Sequence, residues 1–167
     1  MSAAISTGYT DTPISGVTSL DFPRGKINFK SDFRIMESTA EKAAVTNLTS
    51  PIDRPEVFQW TLSNIKDVYA GSGIDPSVYG PSRRGVKVFC KVSDIFSVTD
   101  ATDPDFRVDL PVSAHLLVNV PASEYITSEM VQTLIGRVVS GYYETGSTAT
   151  TRIAALTRGS LLPSDLK

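Results

Sequence analysis

One histidine and one cysteine are all that this 167-residue chain offers to imidazole or thiol chemistry, and neither has beside it in sequence the partner such chemistry needs. His115 could act as a general base, but a lone histidine in an alternating stretch reads as a surface or interface residue of a strand. Cys90 alternates in phase with Val86, Val88 and Val92, the position of a small buried hydrophobe. The carboxylates Asp100, Asp103, Asp105 and Asp109 lack the ligand spacing and terminal glutamate of an EF-hand, so they read as a solvated acidic loop. Gly71-Ser72-Gly73 lacks the lysine and following helix of a phosphate loop. No catalytic residue, metal or cofactor is expected.

A second group is polar without being reactive. Gln59, Thr61 and Ser63 alternate with apolar residues on one stretch, and Lys87 and Lys91 do so on another. If the two stretches are neighbouring strands, all five side chains project to one side. Such a surface joins cations for phosphates to amides and hydroxyls for bases or ribose, the chemistry that single-stranded or hairpin RNA requires. Asn47 and Thr49 from the preceding strand, and His115 and Asn119 from the last, would extend it. The plainer reading, solvated strand positions, stands beside this one. A net charge of -2 requires that any nucleic-acid contact be a local patch.

The elements that must position these residues follow from periodicity. Residues 1–16, small and polar with Gly8, Pro13 and Gly16, read as a loosely held, flexible arm. Residues 18–22 and 26–33 flank the turn Pro23-Arg24-Gly25 and predict a hairpin over 17–33. Residues 34–50 admit a short helix by propensity over 37–45, but the β-branched and small residues of 43–49 favour strand. Phe58, Trp60 and Leu62 alternate with polar neighbours, predicting a strand over 56–64. Gly71, Gly73, Pro76, Gly80, Pro81 and Gly85 make 71–85 a long connection. Alternation resumes over 86–93, an acidic loop is expected over 94–110, and 107–120 is extended but interrupted at Pro111.

After Pro121 the period becomes helical. Met130, Val131, Leu134, Ile135, Val138, Val139 and Tyr142 form a wide apolar stripe with Thr127 as N-cap, predicting a helix over 127–142. A second helix is expected over 148–158 with Gly159 as its cap. The order of strands followed by helices is α+β, with helices covering one face of a sheet over 34–121. Phe58, Trp60, Leu62, Val88, Cys90, Leu116 and Val118 are expected to form one core layer beneath Leu134, Ile135 and Val138.

Composition bounds the class. At 41% hydrophobic and 20% charged residues the chain resembles an ordinary soluble protein, and its length suffices for one domain, residues 17–167, without disulfides. The first residues lack the basic segment and apolar run of a secretory signal, and no stretch approaches a membrane span. A single cysteine fits a reducing compartment.

Residues 109–121, Asp-Leu-Pro-Val-Ser-Ala-His-Leu-Leu-Val-Asn-Val-Pro, followed by a Thr-capped apolar helix, a glycine-containing turn and a shorter helix, resemble the C-terminal half of the levivirus coat proteins, those of small single-stranded RNA bacteriophages. There an acidic-Leu-Pro-Val step closes the loop before the last strand, that strand ends at a proline, and two helices complete the chain. The resemblance implies an icosahedral capsid subunit of the virion, assembled in the bacterial cytoplasm, with no membrane partner. Its partners would be itself and single-stranded viral RNA, including a hairpin through which such proteins repress the replicase message. It implies a homodimer whose two sheets join edge to edge, with Met130, Val131, Leu134, Val138 and Tyr142 of each subunit lying across the other. The polar sheet face would line the shell interior, and the loop carrying Asp100, Asp103, Asp105 and Pro111 would meet symmetry-related loops between dimers. The excess of apolar surface on 130–142 argues for dimerisation independently. A non-viral adhesin or fibre module is the alternative. The longer arm and the 71–85 connection depart from the shorter family members.

Overall fold

The computed structural model describes residues 10–19, 27–103 and 105–166. The chain divides into two compact units, one of residues 26–123 and one that joins 1–25 to 124–167.

The first unit is a five-stranded antiparallel sheet: β1 (Phe33–Ser38), β2 (Lys42–Asn47), β3 (Val57–Ile65), β4 (Gly85–Thr99) and β5 (Arg107–Pro121), in spatial order β1-β2-β3-β4-β5. The ambiguous segment 34–50 is strand on both sides of a tight turn, in which Thr39 N–H donates to Lys42 O at 2.8 Å and Lys42 N–H to Thr39 Oγ1 at 3.0 Å. Helix propensity loses here because pairing sets Ala43 opposite Trp60 and Val45 opposite Phe58, adding two apolar side chains to an aromatic face.

Of the hairpin expected over 17–33, residues 20–26 lie outside the described residues, and the second arm is not a strand. Phe29–Asp32 forms a single helical turn, α1, capped by Asn28, whose Oδ1 accepts from Ser31 N–H at 3.3 Å. The turn brings Phe29 and Phe33, four residues apart, to one side, with ring centroids 5.0 Å apart. Phe29 then meets Phe58 at 5.5 Å and Trp60 at 5.6 Å, both edge-on. Alternation over 26–30 could not reveal this, since an extended chain would not gather these rings.

The acidic loop is shorter than the expected 94–110. β4 and β5 stay paired from Asp94 opposite Val112 to Thr99 opposite Arg107, leaving only 100–106 as connection. Pro111 lies inside β5 opposite Ile95, so it is not a loop residue. A proline is tolerated there because β5 is the last strand of the sheet and need not donate on its outer side. Only the segment Asp100–Asp105 breaks the ladder, through Asp100 accepting from Thr102 N–H at 2.7 Å and Asp103 from Asp105 N–H at 3.1 Å.

Register puts Phe58, Trp60, Leu62, Val88, Cys90, Leu116 and Val118 on one face, as alternation predicts. That face continues along the extended β4–β5 ribbon through Phe96, Val98, Val108, Leu110 and Val112. The expected closed core layer is absent, however. Leu62 and Val88 remain 42% and 38% exposed, Phe96 is 56% exposed, and Ala44 is the one buried hydrophobic side chain of the described residues. Phe58, Trp60, Cys90, Leu116 and Val118 are half-buried.

In the second unit, α2 (Ser128–Ser140) starts where Thr127 Oγ1 accepts from Met130 N–H at 3.4 Å and ends at Gly141. Tyr142 lies beyond its end. The second helix, expected over 148–158, is one turn, α3 (Ile153–Leu156). Residues 143–151 are taken instead by a tight loop closed by the Tyr143–Thr151 bridge and by Glu144 N–H donating to Thr150 O at 3.0 Å. The expected glycine cap is present: Gly159, at φ 87°, lets Ser160 N–H reach Ala155 O at 2.9 Å and its own N–H reach Leu156 O at 3.0 Å, a Schellman closure.

Residues 10–16 of the arm make contacts within this unit. Asp11 pairs with Arg137 at 2.7 Å, and Ile14 lies against Gly146, where an added Cβ would come 3.4 Å from its Cγ2. Arg152 is 7% exposed and donates to the carbonyls of Gly141 and Leu161, joining the end of α2 to the C-terminal segment. Arg152→Met keeps the bulk but leaves both carbonyls without this donor, so a loss of about 2–4 kcal/mol is expected in denaturant unfolding. A change below about 0.5 kcal/mol would refute the tie.

Candidate nucleic-acid interface

Three cross-strand rows build the polar face of the sheet. Gln59, Lys91 and His115 stand opposite one another on β3, β4 and β5, as do Thr61, Phe89 and Leu117, and then Ser63, Lys87 and Asn119. Paired residues of an antiparallel sheet share a face, so seven of the nine candidate RNA-contact residues come together. The packing is light: Gln59 Nε2 reaches Thr61 Oγ1 at 3.4 Å, and the His115 ring tilts against Phe89 at 5.3 Å.

Asn47 and Thr49 are not brought to this face. Asn47 alternates in phase with Ala43 and Val45, toward the opposite side, and its amide donates to Glu56 Oε2 at 2.6 Å. Thr49 lies past the end of β2, with its N–H and hydroxyl on Asn47 Oδ1 at 2.9 and 2.7 Å. Asn47 ends β2 and accepts the hydrogen bonds of the turn that holds Thr49, a turn that composition alone did not separate from a strand. Conversely, Arg34 joins the polar face opposite Thr46, a cation that could be found only once the β1–β2 register was known. Phe89, which alternation also puts on this face but which was not among the RNA-contact candidates, is an aromatic surface between the two lysines.

The cations of this face fall into two sets. Lys42 is bound to Glu37 at 2.6 Å, and Arg107 grips Asp109 through two bonds of 2.9 and 2.7 Å while reaching Asp53 at 2.6 Å. Lys87, Lys91 and Arg34 have no ion-pair partner among the described residues. The open positive charge is therefore on β4 and β1, away from the neutralised ribbon end.

Hydrogen bonds from Arg107 and then Ser97 lower the Asp109 carboxyl from 3.8 to about 2. Because this folded value is depressed, the Asp109 contacts contribute fully above pH 3.8 and are lost as pH falls toward 2. A carboxyl-carbon titration should give a midpoint near 2 for Asp109, returning to the ordinary aspartate range in Arg107→Gln. A wild-type midpoint in the ordinary range would contradict the anchoring of the 48–56 turn to β5.

The remaining candidate groups sit apart. Asp100, Asp103 and Asp105 are exposed in the connection 100–106. On α2, Met130 and Val131 are half-buried, whereas Leu134 and Val138 are 54% and 48% exposed; Tyr142, in the turn beyond, is exposed as well. Burial raises the Cys90 thiol above its ordinary value, partly offset by a hydrogen bond from Trp60, so the thiol stays protonated. Among the described residues no group of three or more His, Cys, Asp or Glu could hold a metal ion, and no helix is long and apolar enough to cross a membrane.

No protein-family model and no curated protein matches the chain. Its likeness lies in three dimensions. The virus-like particle of bacteriophage AVE015 matches with a TM-score of 0.85 at 24% identity, covering 98% of this chain and 99% of that one. The virus-like particle of bacteriophage GQ-112 matches with a TM-score of 0.71 at 13% identity, covering 95% and 97%. The chain has the fold of these particle subunits over nearly its whole length, and the α+β class expected from the sequence is the one found.

Proposed function

We propose that this chain, which has the fold of bacteriophage particle subunits, is itself a coat protein: it dimerises, builds a closed shell and packs single-stranded RNA against the polar face of its sheet. The observation that carries this reading is surface left uncovered. A folded chain of 18.0 kDa exposes about 8,000 Å² when it is self-sufficient, whereas this one exposes 13256 Å². The excess, on the order of 5,000 Å² on one chain, is at least one subunit's share of an obligate interface, which totals roughly 2,000–5,000 Å² or more over both partners. Much of it is apolar: the β4–β5 ribbon from Phe96 to Val112 and the α2 residues Leu134 and Val138.

Edge chemistry favours β5 as the joining strand. β1, the other edge, has six residues and a bulge between Ile35 and Glu37, features that blunt an edge. β5 runs for fifteen residues without a bulge, Pro111 being its one interior position without an N–H donor. Joining two β5 edges leaves both polar faces on one side, which becomes the RNA-facing interior, and both apolar faces on the other, to be covered by helices of the partner. The connection 100–106 would then approach its equivalents between dimers.

With a net charge of -2, RNA affinity must rest on the few open cations. Filter binding of dimers to single-stranded RNA across a salt series tests this. Replacing Lys87 and Lys91 together by glutamine should lower the salt slope by roughly 1 to 2 units. An unchanged slope would return both lysines to the role of solvated strand positions.

A further inference from the structure

At one end of the sheet two cations stand together with no counter-ion. The β3–β4 ladder ends with Ile65 opposite Gly85, and Lys66 and Arg84 are the next residues beyond that rung. Both are exposed, and with Asn64, Ile65 and Gly85 they line a hollow of about 540 Å³ that no carboxylate of the described residues lines. Neither has an ion-pair partner among the described residues. Asp67, next in sequence, faces Arg83 instead, at 3.8 Å, and Arg83 also lies over the Tyr79 ring that stacks on Tyr69. Like charges held close across two strands cost stability until an anion joins them. At the opposite end of the sheet the sign reverses. Asp100, Asp103 and Asp105 of the connection 100–106 are exposed and, among the described residues, without a cation. The bonds that Asp100 and Asp103 accept, from Thr102 and from Asp105 N–H, lie within the connection itself. β4 separates the two groups by its fifteen residues, roughly 45 Å, so a single chain cannot bring them together.

We propose that in the dimer the acidic connection of one subunit docks against the Lys66–Arg84 pair of a second copy, once at each end of the joined sheet. The inference rests on the β5-to-β5 joining above and names the charge contact that sets its register and its choice of partner. A two-fold axis normal to the sheet keeps both polar faces on one side and makes the two β5 strands antiparallel. With the strands paired over their full length, Arg107 lies opposite the partner's Pro121. Within each subunit Gly85 is beside Pro121 and Thr99 beside Arg107. The partner's Gly85 is then two strand spacings, about 10 Å, from Arg107. Both the acidic connection and the cation pair begin one residue beyond the ladder, so they project past the same end of the joined sheet. Sliding the edges by two residues would carry the charges about 7 Å apart. Exposed ion pairs add little stability each, so the contact acts on register and partner choice more than on affinity.

Two charge-swapped chains test it, one with Lys66→Glu and Arg84→Glu, the other with Asp103→Lys and Asp105→Lys. All four positions are exposed, so each chain keeps its fold. Each swapped chain opposes a copy of itself at both ends of the joined sheet, and only the mixed pair is complementary at both. Co-expressed with different tags and examined as dimers by native mass spectrometry at low salt, the two chains should form mixed dimers about 10-fold in excess of random pairing. A control acidic chain, Lys30→Glu with Arg34→Glu, changes net charge equally, but at and beside the far-edge strand β1. Paired with the lysine-bearing chain, it should mix within about 2-fold of random pairing. Random mixing of the swapped chains, or the same excess with the control chain, overturns the contact while leaving the dimer intact. If the wild type itself is monomeric, the β5 joining fails, and the contact with it.

Discussion

Val138→Asp is expected to abolish the dimer and every particle built from it, while sparing the secondary structure of whatever monomer persists. In the single chain Val138 is 48% exposed on α2, where a substitution would ordinarily change stability by less than about 0.5 kcal/mol. If this surface is covered by a second subunit, the same carboxylate is buried without a partner at two symmetry-related positions, at a cost of several kcal/mol each. Sedimentation velocity at micromolar concentration separates the two cases. A Val138→Asp protein that sediments as the wild-type dimer would remove α2 from the interface.

The second large effect should come from Trp60→Ala. The indole stacks with Phe58 at 5.9 Å and meets the edge of Phe29 at 5.6 Å. It is the largest member of a face that the single chain covers only in part, so its removal takes away both intrachain packing and part of what a partner would cover. A loss of about 3–5 kcal/mol in dimer unfolding is expected, with Trp60→Phe costing less than half as much. A loss below about 1 kcal/mol would mean that this face is not closed by assembly.

The same open face explains where the sequence was legible and where it was not. Strict alternation over Phe58–Leu62 and Val86–Val92 was enough to assign β3, the core of β4 and the sharing of faces by Lys87, Lys91, Gln59, Thr61 and Ser63. Thr127 and Gly159 announced their helix ends through capping chemistry that is local to a few residues. What failed depended on neighbours distant in sequence. Pro111 looked like a breaker until β5 proved to be an edge strand, and Thr49 looked like a strand residue until Asn47, the last residue of β2, supplied the acceptor for its turn. Phe29 formed a helical turn because Phe58 and Trp60 offered it a cluster. The fold of the connection was invisible for the same reason, since six glycines and prolines over 71–85 predict a loop but not that Tyr69 would stack on Tyr79 with Arg83 over the Tyr79 ring.

Purified protein examined by size-exclusion chromatography and electron microscopy, with its nucleic acid measured before and after nuclease treatment, tests the account most directly. Closed shells of uniform diameter are expected, containing single-stranded RNA that survives nuclease until the shells are opened. A protein that remains monomeric at high concentration, or that assembles without protecting any RNA, would contradict it.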